Sequence, residues 1–517
     1  MLTLKDQRVL VLGLGASGLA MARWCAGLGA TVTVADTRAA PPQLETLKQE
    51  LPAISLVHGA LNAALLRQLQ PSLLLKSPGL SPGALAELST AANSMGLRIG
   101  GELSLFAQAL GELRRERNYS PKLLAVTGTN GKTTVTALTG KLIERSGRSV
   151  ALAGNIGPTL LDTLAQALAA DRLPEVWVLE LSSFQLDEHS LAAGLFQATA
   201  AAILNITPDH LDWHASMSAY VAAKARILDE RTLAILNRDD ATVMALLQAT
   251  AAPARGPKAA QPGQRPWVGF GAEAPQRPGD YGIEVVNGMA WLVRARPADG
   301  TARRRGARGK PEAEELFVQR LMPADALRLR GRHNAVNALA ALALAESAGC
   351  SLATMLHGLR EYRGEPHRVE SVAVLNQVEY FDDSKGTNVG ATVAALNGLG
   401  PERKLVLILG GDGKGQDFTP LADPVARFVR AVVLLGRDAP NIRAVLQDSG
   451  VPLLDAVSMP EAVHMARRQA RPGDAVLLSP ACASFDMFDN YSHRARVFCD
   501  AVRELAGAAG VVLESST

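Results

Sequence analysis

The segment TGTNGKTT at 127–134 stands directly after the apolar run LLAV, and it restricts the fold more tightly than any other part of the chain. A glycine-rich turn between a buried strand and a helix presents successive backbone N–H groups to phosphate oxygens. A lysine at its end reaches the β- and γ-phosphates, and the next hydroxyl suits magnesium. The spacing is the short form G-x-x-G-K-T, because Val126 rather than a glycine stands five residues before Gly131. Gly128, Thr129, Asn130, Gly131, Lys132, Thr133 and Thr134 are therefore expected to hold ATP and its Mg2+.

A phosphate loop of this kind needs a parallel sheet behind it. Near-continuous apolar runs occur at Val9–Leu12, Val32–Ala35, Leu123–Val126, Val176–Leu179, Ala201–Leu204, Leu405–Leu409, Ala431–Leu435 and Ala475–Leu478. Such runs read as strands covered on both faces, and Ala/Leu-rich helical segments alternate with them. The fold class is α/β with several parallel sheets: a Rossmann-like N-terminal domain, a central P-loop-type ATPase domain and a Rossmann-like C-terminal domain. Domains are placed at 1–118, 119–364 and 365–517. The charged stretch GELRRERNYSPK (111–122) and RGEPHR (363–368) mark the boundaries. Residues 251–280 and 294–315 are rich in Pro, Gly, Ala and Arg and read as surface inserts.

Charge is local. Between 294 and 310 seven basic residues face one acid, Asp299, an excess larger than the net charge of +3 for the whole chain. The basic balance thus belongs to one insert, and no nucleic-acid partner is expected. Cys25, Cys350, Cys482 and Cys499 are scattered without a CxxC, as free thiols in a reducing compartment are. The run Val9–Leu14 is too short for a signal sequence and leads into a glycine turn. No stretch has the length of a transmembrane span. A cytoplasmic location and a monomer are expected.

Other motifs sit at strand ends. GLGASG (13–18) fits G-x-G-x-x-G, and the next strand ends at Asp36, which could accept hydrogen bonds from a ribose or a base. Taken alone the motif indicates a nucleotide diphosphate near a helix start, and both NAD and a UDP-sugar satisfy it. Asn155 in GNIG, Glu180 in LELSSFQL, His210 in NITPDHLDWH and Lys224 in AAKARI belong to the phosphate-loop domain. A carboxylate and a histidine there can hold a divalent cation. GRHNAVNALA places Asn334 and Asn337 on one helix face. In the last third, PHRVE, DDSKGTNVGAT, LGGDGKGQDF and LLSPACASFDMFDNYSHRARVF bring Arg368, Lys385, Lys414 and Arg494 with Ser384, Thr387 and Ser484 to strand ends. That mixture of cations and hydroxyls suits an anionic substrate.

GTNGKTT, GNIG, ELSSFQL, N-x-x-x-D-H, HN-x-x-N-A, PHR, DDSKGTN and GGDGKG in this order resemble the Mur ligases over nearly the whole chain. DSK-x-TN, GGDGK and SPACASFD resemble the D-glutamate-adding branch. The resemblance implies an ATP- and Mg2+-dependent ligase joining D-glutamate to UDP-N-acetylmuramoyl-L-alanine in cell-wall precursor synthesis. It implies that Ala16, Ser17, Asp36, Thr37, Arg38, Ser77 and Gly79 lie at the UDP end and that Asn155 contacts the same substrate. Lys132, Thr133 and Thr134 would hold ATP phosphates and magnesium. Glu180 and His210 would bind metal, with Lys224 carried as a carbamate that helps place a second ion. Catalytic roles then fall to Lys132, His210 and Lys224. Asn334, Arg368 and Asp383 would hold the adenine nucleotide, and Lys385, Thr387, Lys414, Ser484, Phe485 and Tyr491 would surround D-glutamate. The chain departs from the family pattern in its two inserts, in Tyr491 where Phe is usual, and in Ala495 where Gly is usual.

Three other readings compete. A folylpolyglutamate synthase relative shares the central loop but not the first domain. An NAD oxidoreductase explains GLGASG alone. A scaffold using the Arg-rich insert would turn over no ATP.

Overall fold

A computed structural model describes residues 4–187, 196–249, 265–298 and 316–508. The first sheet contains β1 (Arg8–Leu12), β2 (Thr31–Asp36), β3 (Ser55–His58), β4 (Leu73–Lys76) and β5 (Arg98–Gly100). All pairings are parallel and the order is β3-β2-β1-β4-β5. The strand order reverses between β1 and β4, and a crevice opens at such a point beyond the carboxyl ends of the strands.

The second sheet contains β6 (Lys122–Thr127), β7 (Val150–Gly154), β8 (Val176–Glu180), β9 (Ala200–Ile203), β10 (Leu233–Asn237) and β11 (Trp267–Phe270). It too is wholly parallel, in the order β11-β10-β9-β6-β8-β7. The phosphate loop leaves β6, flanked by β8 with Glu180 at its end and by β9. A third sheet of β12 (Tyr281–Val286), β13 (Met289–Pro297) and β14 (Leu316–Pro323) is antiparallel. The last contains β15 (Glu370–Leu375), β16 (Val378–Asp382), β17 (Leu405–Gly410), β18 (Val429–Leu435), β19 (Leu453–Asp455) and β20 (Ala475–Leu478). Its order is β15-β16-β20-β17-β18-β19, parallel except for the β15–β16 hairpin. Three α/β domains result.

All eight apolar runs are parallel strands, because each is buried between helices on both faces. The Ala/Leu run at 338–345 lies in the helix Arg332–Ser347, buried at every position from Asn337 to Ala345. It shares one core with the phosphate-loop helix Lys132–Arg145. A helix apolar all round belongs in a core.

The insert reading needs correction where residues are described. Trp267–Phe270 is a sheet strand and 294–297 is the end of β13. Arg294, counted there as a surface cation, is largely buried and pairs with Glu346 at 2.5 Å. Glu346 also accepts a 2.6 Å hydrogen bond from Tyr281. This network ties the antiparallel sheet to the helix Arg332–Ser347. Residues 251–264 and 299–315, with Arg255, Arg303, Arg304, Arg305 and Arg308, lie outside the described residues. Among the described residues, no helix is long and apolar enough to cross a membrane.

Candidate active site

The switch point of the first sheet opens into a cleft of about 1200 Å³. Ala16, Ser17, Asp36, Thr37, Arg38, Ser77 and Gly79 line it from one side and Asn155 from the other, together with Ser182, Phe184 and Gln185. The glycine turn is tight: a Cβ on Gly18 would stand 2.0 Å from the Gly13 carbonyl oxygen. The Ser77 hydroxyl donates to that same carbonyl at 2.8 Å, locking β4 to the turn.

Asp36 does not act as a free ribose acceptor. Its Oδ1 accepts from the Arg38 backbone N–H and Nε, both at 2.9 Å. Its Oδ2 accepts from Leu14 N–H at 2.7 Å and from Arg38 Nη2 at 2.8 Å. Four donors fill the four lone-pair directions of a carboxylate. The hydrogen bond to Arg38 above all holds the Asp36 carboxyl down to about 2. Asp36 therefore fixes the half-exposed Arg38 at the cleft mouth.

In the second domain Gly131 takes φ +85 before the helix Lys132–Arg145, a left-handed conformation that favours glycine. Lys132 Nζ donates to the Gly128 and Thr129 carbonyls at 2.8 Å each. Lys224 Nζ donates to the same Gly128 carbonyl at 2.8 Å and lies 4.6 Å from the Tyr220 ring centroid. Lys224 is only 1% exposed. Burial, followed by the charge of Lys132, pushes its pKa well below the usual lysine range. Burial likewise lowers Lys132.

Glu180 is 4% exposed and accepts from Asn155 Nδ2 at 3.2 Å. Asn155 thus faces the first cleft while touching the carboxylate beside the phosphate loop. His210 adopts φ 54, with Nε2 3.6 Å from Asp209 Oδ2. Burial lowers its pKa, and the charges of Lys132, Lys224 and Lys414 add to that against Asp209. The Thr133 hydroxyl accepts a hydrogen bond from Arg368. Oxygen donors from Thr133 and Glu180, with the imidazole beside them, suit a magnesium ion chemically. Among the described residues, one group of three histidine and carboxylate side chains has ligand atoms within 4.8 Å of one another: His367, Glu370 and Asp382. Those three satisfy each other. His367 Nδ1 lies 2.7 Å from Asp382, and Glu370 accepts the His367 backbone N–H at 2.8 Å.

A second cleft of about 1110 Å³ lies between the middle and last domains. Asn130, Gly131, Thr134, Asn334 and Asn337 line it from one domain, Arg368, Asp383 and Gly386 from the other. Arg368 Nη2 donates to Thr133 Oγ1 at 2.8 Å. Asn388, the N-cap of the helix Val389–Leu399, exchanges amide hydrogen bonds with Asn130 at 3.3 and 3.2 Å and donates to Asp209 at 3.1 Å. Burial lifts the Asp383 carboxyl to about 7, and Ser479 donates to it at 2.7 Å.

The loops after β16, β17 and β20 meet at the edge of the last domain. Asp412 and Ala483 pair as an isolated bridge, setting the Lys414 loop beside Ser484. Lys385 Nζ lies 5.6 Å from the Tyr491 ring centroid, so the ring of Tyr491 makes this contact. Burial, followed by Arg368, lowers Lys385 to about 8. The Thr387 N–H donates to the Lys385 carbonyl at 3.0 Å. Ser484 is buried, Lys414 is exposed, and Phe485 is 69% exposed, so the six residues expected around D-glutamate do not form an enclosed pocket. Arg494, read as an anion ligand, instead donates to the Cys482 and Ser384 carbonyls at 3.1 and 2.7 Å and ties two of these loops together. Sequence reasoning passed over Asp209, Tyr220 and Asn388. Asp209 was within reach, since it stands in the same segment as His210. Asn388 and Tyr220 gain their place only from contacts across the fold.

Comparison with known proteins covers most of the chain. Family models match for a Mur ligase MurD-like N-terminal domain at 7–101, a Mur ligase middle domain at 126–256 and a Mur ligase glutamate ligase domain at 367–482. The chain is 65% identical over 513 residues to the UDP-N-acetylmuramoylalanine–D-glutamate ligase of Albidiferax ferrireducens, covering 99% of both chains. Its fold is similar to that of the UDP-N-acetylmuramate-alanine ligase of Thermotoga maritima, with TM-score 0.54, 18% identity, and 97% and 100% of the two chains covered. A Mycobacterium tuberculosis folylpolyglutamate synthase complexed with ADP gives TM-score 0.52 at 17% identity, over 78% of this chain and 95% of that one.

Proposed function

The chain belongs to the Mur ligase family, and from that premise we infer that it joins D-glutamate to UDP-N-acetylmuramoyl-L-alanine at the expense of ATP, in peptidoglycan precursor synthesis. The observation that carries this reading is the position of Asn155. It lines the first cleft and donates to Glu180 beside the phosphate loop. A sugar nucleotide anchored on the first sheet would thus bring its far carboxylate to the ATP phosphates.

A carboxylate does not condense with an amine in neutral water. Transfer of the γ-phosphoryl group to the carboxylate gives an acyl phosphate and ADP. The D-glutamate amine then attacks the acyl carbon, and a tetrahedral intermediate expels inorganic phosphate as the amine loses its proton. Positioning and charge neutralisation are what the protein must provide. In this reading Lys132 moves from the loop carbonyls to the phosphates, Arg368 supplies a second cation, and His210 orients the groups around the reacting carboxylate. Thr133, Glu180 and His210 would hold Mg2+, which when bound neutralises phosphate charge. Lys224 would carry a carbamate, formed from its neutral amine and carbon dioxide with loss of a proton. Asn334 and Asp383 would hold the adenine nucleotide, and Lys385, Thr387 and Ser484 the D-glutamate carboxylates. The enzyme would work as a monomer in the cytoplasm, where nucleotide substrates are available.

The test is phosphate release with ATP, Mg2+ and UDP-N-acetylmuramoyl-L-alanine, with D-glutamate, L-glutamate, glycine or meso-diaminopimelate added in turn. Turnover with D-glutamate alone is expected. Turnover with another amino acid would overturn the acceptor assignment, and silence with all four would overturn the ligase reading.

A further inference from the structure

Glu102 is a carboxylic acid with 0% exposure, at the start of the helix Glu102–Arg117. Its Oε1 accepts from the Leu161 backbone N–H at 3.1 Å, in the first turn of the helix Leu160–Ala169. Its Oε2 is buried and has no hydrogen-bond partner. A buried carboxyl oxygen left unpaired is costly, and natural structures keep one only where something else requires it. Burial raises the pKa of its carboxyl, against the Ser17 hydroxyl and the N–H groups of Leu161 and Leu160, which favour the charged form.

Glu102 bonds to the element behind one wall of the sugar-nucleotide cleft and lies beside Ser17 of the other. Ser17 belongs to the glycine turn after β1. Leu160 and Leu161 follow Asn155, Ile156, Gly157 and Thr159, which line the far wall and come from the second domain. Thr159 caps the same helix by accepting from the Asp162 N–H at 3.3 Å, and Asp162 accepts from Arg23 of the first domain at 3.1 Å. Behind the cleft, then, one buried side chain stands between both walls, with one oxygen engaged and the other buried without a hydrogen-bond partner.

We propose that Glu102 is a positioning residue for the sugar-nucleotide substrate, holding Ser17 and the Asn155–Thr159 loop at the separation the diphosphate requires. In the bound state the free Oε2 meets the Ser17 oxygen through a proton on the carboxyl. The Ser17 hydrogen is then left to donate to a phosphate oxygen, and the buried group stays neutral beside the anionic ligand. This rests on the reading of the first cleft as the UDP end of the site.

The experiment compares Glu102→Gln, Glu102→Met and Glu102→Asp in the full-length enzyme. Glutamine keeps an acceptor for Leu161 and a donor for Ser17, so KM for the sugar nucleotide stays within about three-fold of the parent. Methionine keeps the volume and removes both the Leu161 bond and the polar group beside Ser17, so that KM rises about ten-fold or more while KM for ATP and D-glutamate stays within about two-fold. Should Glu102→Met fail to fold, Glu102→Asp takes its place, because it withdraws the carboxyl by one methylene; the same selective rise, of about three-fold or more, is expected. An unchanged sugar-nucleotide KM, or a parallel shift in all three KM values, overturns the proposal. So does a glutamine variant as impaired as the methionine one. Calorimetry with UDP alone reports on the cleft without ligation. Weaker UDP binding in Glu102→Met or, if that variant fails to fold, in Glu102→Asp, with parental binding in Glu102→Gln, supports the proposal even if no amino acid turns over. Unchanged UDP binding in all variants overturns it.

Discussion

Arg368 donates a 2.8 Å hydrogen bond to the Thr133 hydroxyl, across a sequence separation of 235 residues and across the boundary between the middle and last domains. The hydroxyl that would serve magnesium is therefore already held by the cation that would serve phosphate. An ATP phosphate placed there would separate the pair and take a partner from each. Arg368→Lys keeps the charge but loses the planar fork, so kcat is expected to fall about 10²-fold, with Arg368→Ala lower still. Steady-state kinetics with varied ATP checks this; a lysine variant with parental kcat would remove Arg368 from the phosphate site.

Lys224 is enclosed, burial above all pushes its pKa well below the usual lysine range, and among the described residues its amine bonds to a loop carbonyl and lies over an aromatic face. Lys224→Ala is expected to lose most activity, about 10²-fold or more. If the working group is an anion formed on the amine, a short carboxylate such as acetate, diffusing into the vacated space, restores part of the rate. A dose-dependent recovery in the alanine variant, absent in the parent enzyme, is the readout. An absence of rescue at high acetate would argue for the lysine itself.

Lys385 has its pKa lowered to about 8, chiefly by burial. The sign follows directly: below pH 8 it is a cation able to pair with a D-glutamate carboxylate, and above pH 8 it becomes neutral. KM for D-glutamate is expected to rise about ten-fold between pH 7 and pH 9, with KM for ATP much less affected. In Lys385→Arg the guanidinium stays charged throughout, and the KM profile should flatten. A parent profile that is flat over this range would exclude Lys385 as the carboxylate partner.

The parts of this fold that could be read from sequence are those in which chemistry is local. Parallel strands such as Leu405–Gly410 are apolar throughout because both faces are covered, and GTNGKTT contains its own turn, cation and hydroxyl. GLGASG and Asp36 could be read from their place at strand ends, whereas the other UDP-cleft residues were named by the resemblance to the Mur ligases. The antiparallel sheet could not be seen. Its strands lie among Pro, Gly and Arg, and Arg294 looks like a solvated charge until Glu346, 52 positions later, is brought beside it. Asn388 and Tyr220 were hidden for the same reason, since their partners Asn130 and Thr129 lie far off in sequence. Arg494 was read by residue type as an anion ligand, but its neighbours turned out to be main-chain carbonyls.

The amides of Asn130 and Asn388 face each other from segments 258 residues apart, and the cleft beside them owes one wall to each. Such a cavity has no existence in either half. If the halves swing apart, what remains is two shallow surfaces, neither with the reach to retain a nucleotide. What keeps the walls together is a small set of polar contacts, the amide pair with the Arg368–Thr133 and Asn388–Asp209 bonds, and the cavity lasts only as long as they do.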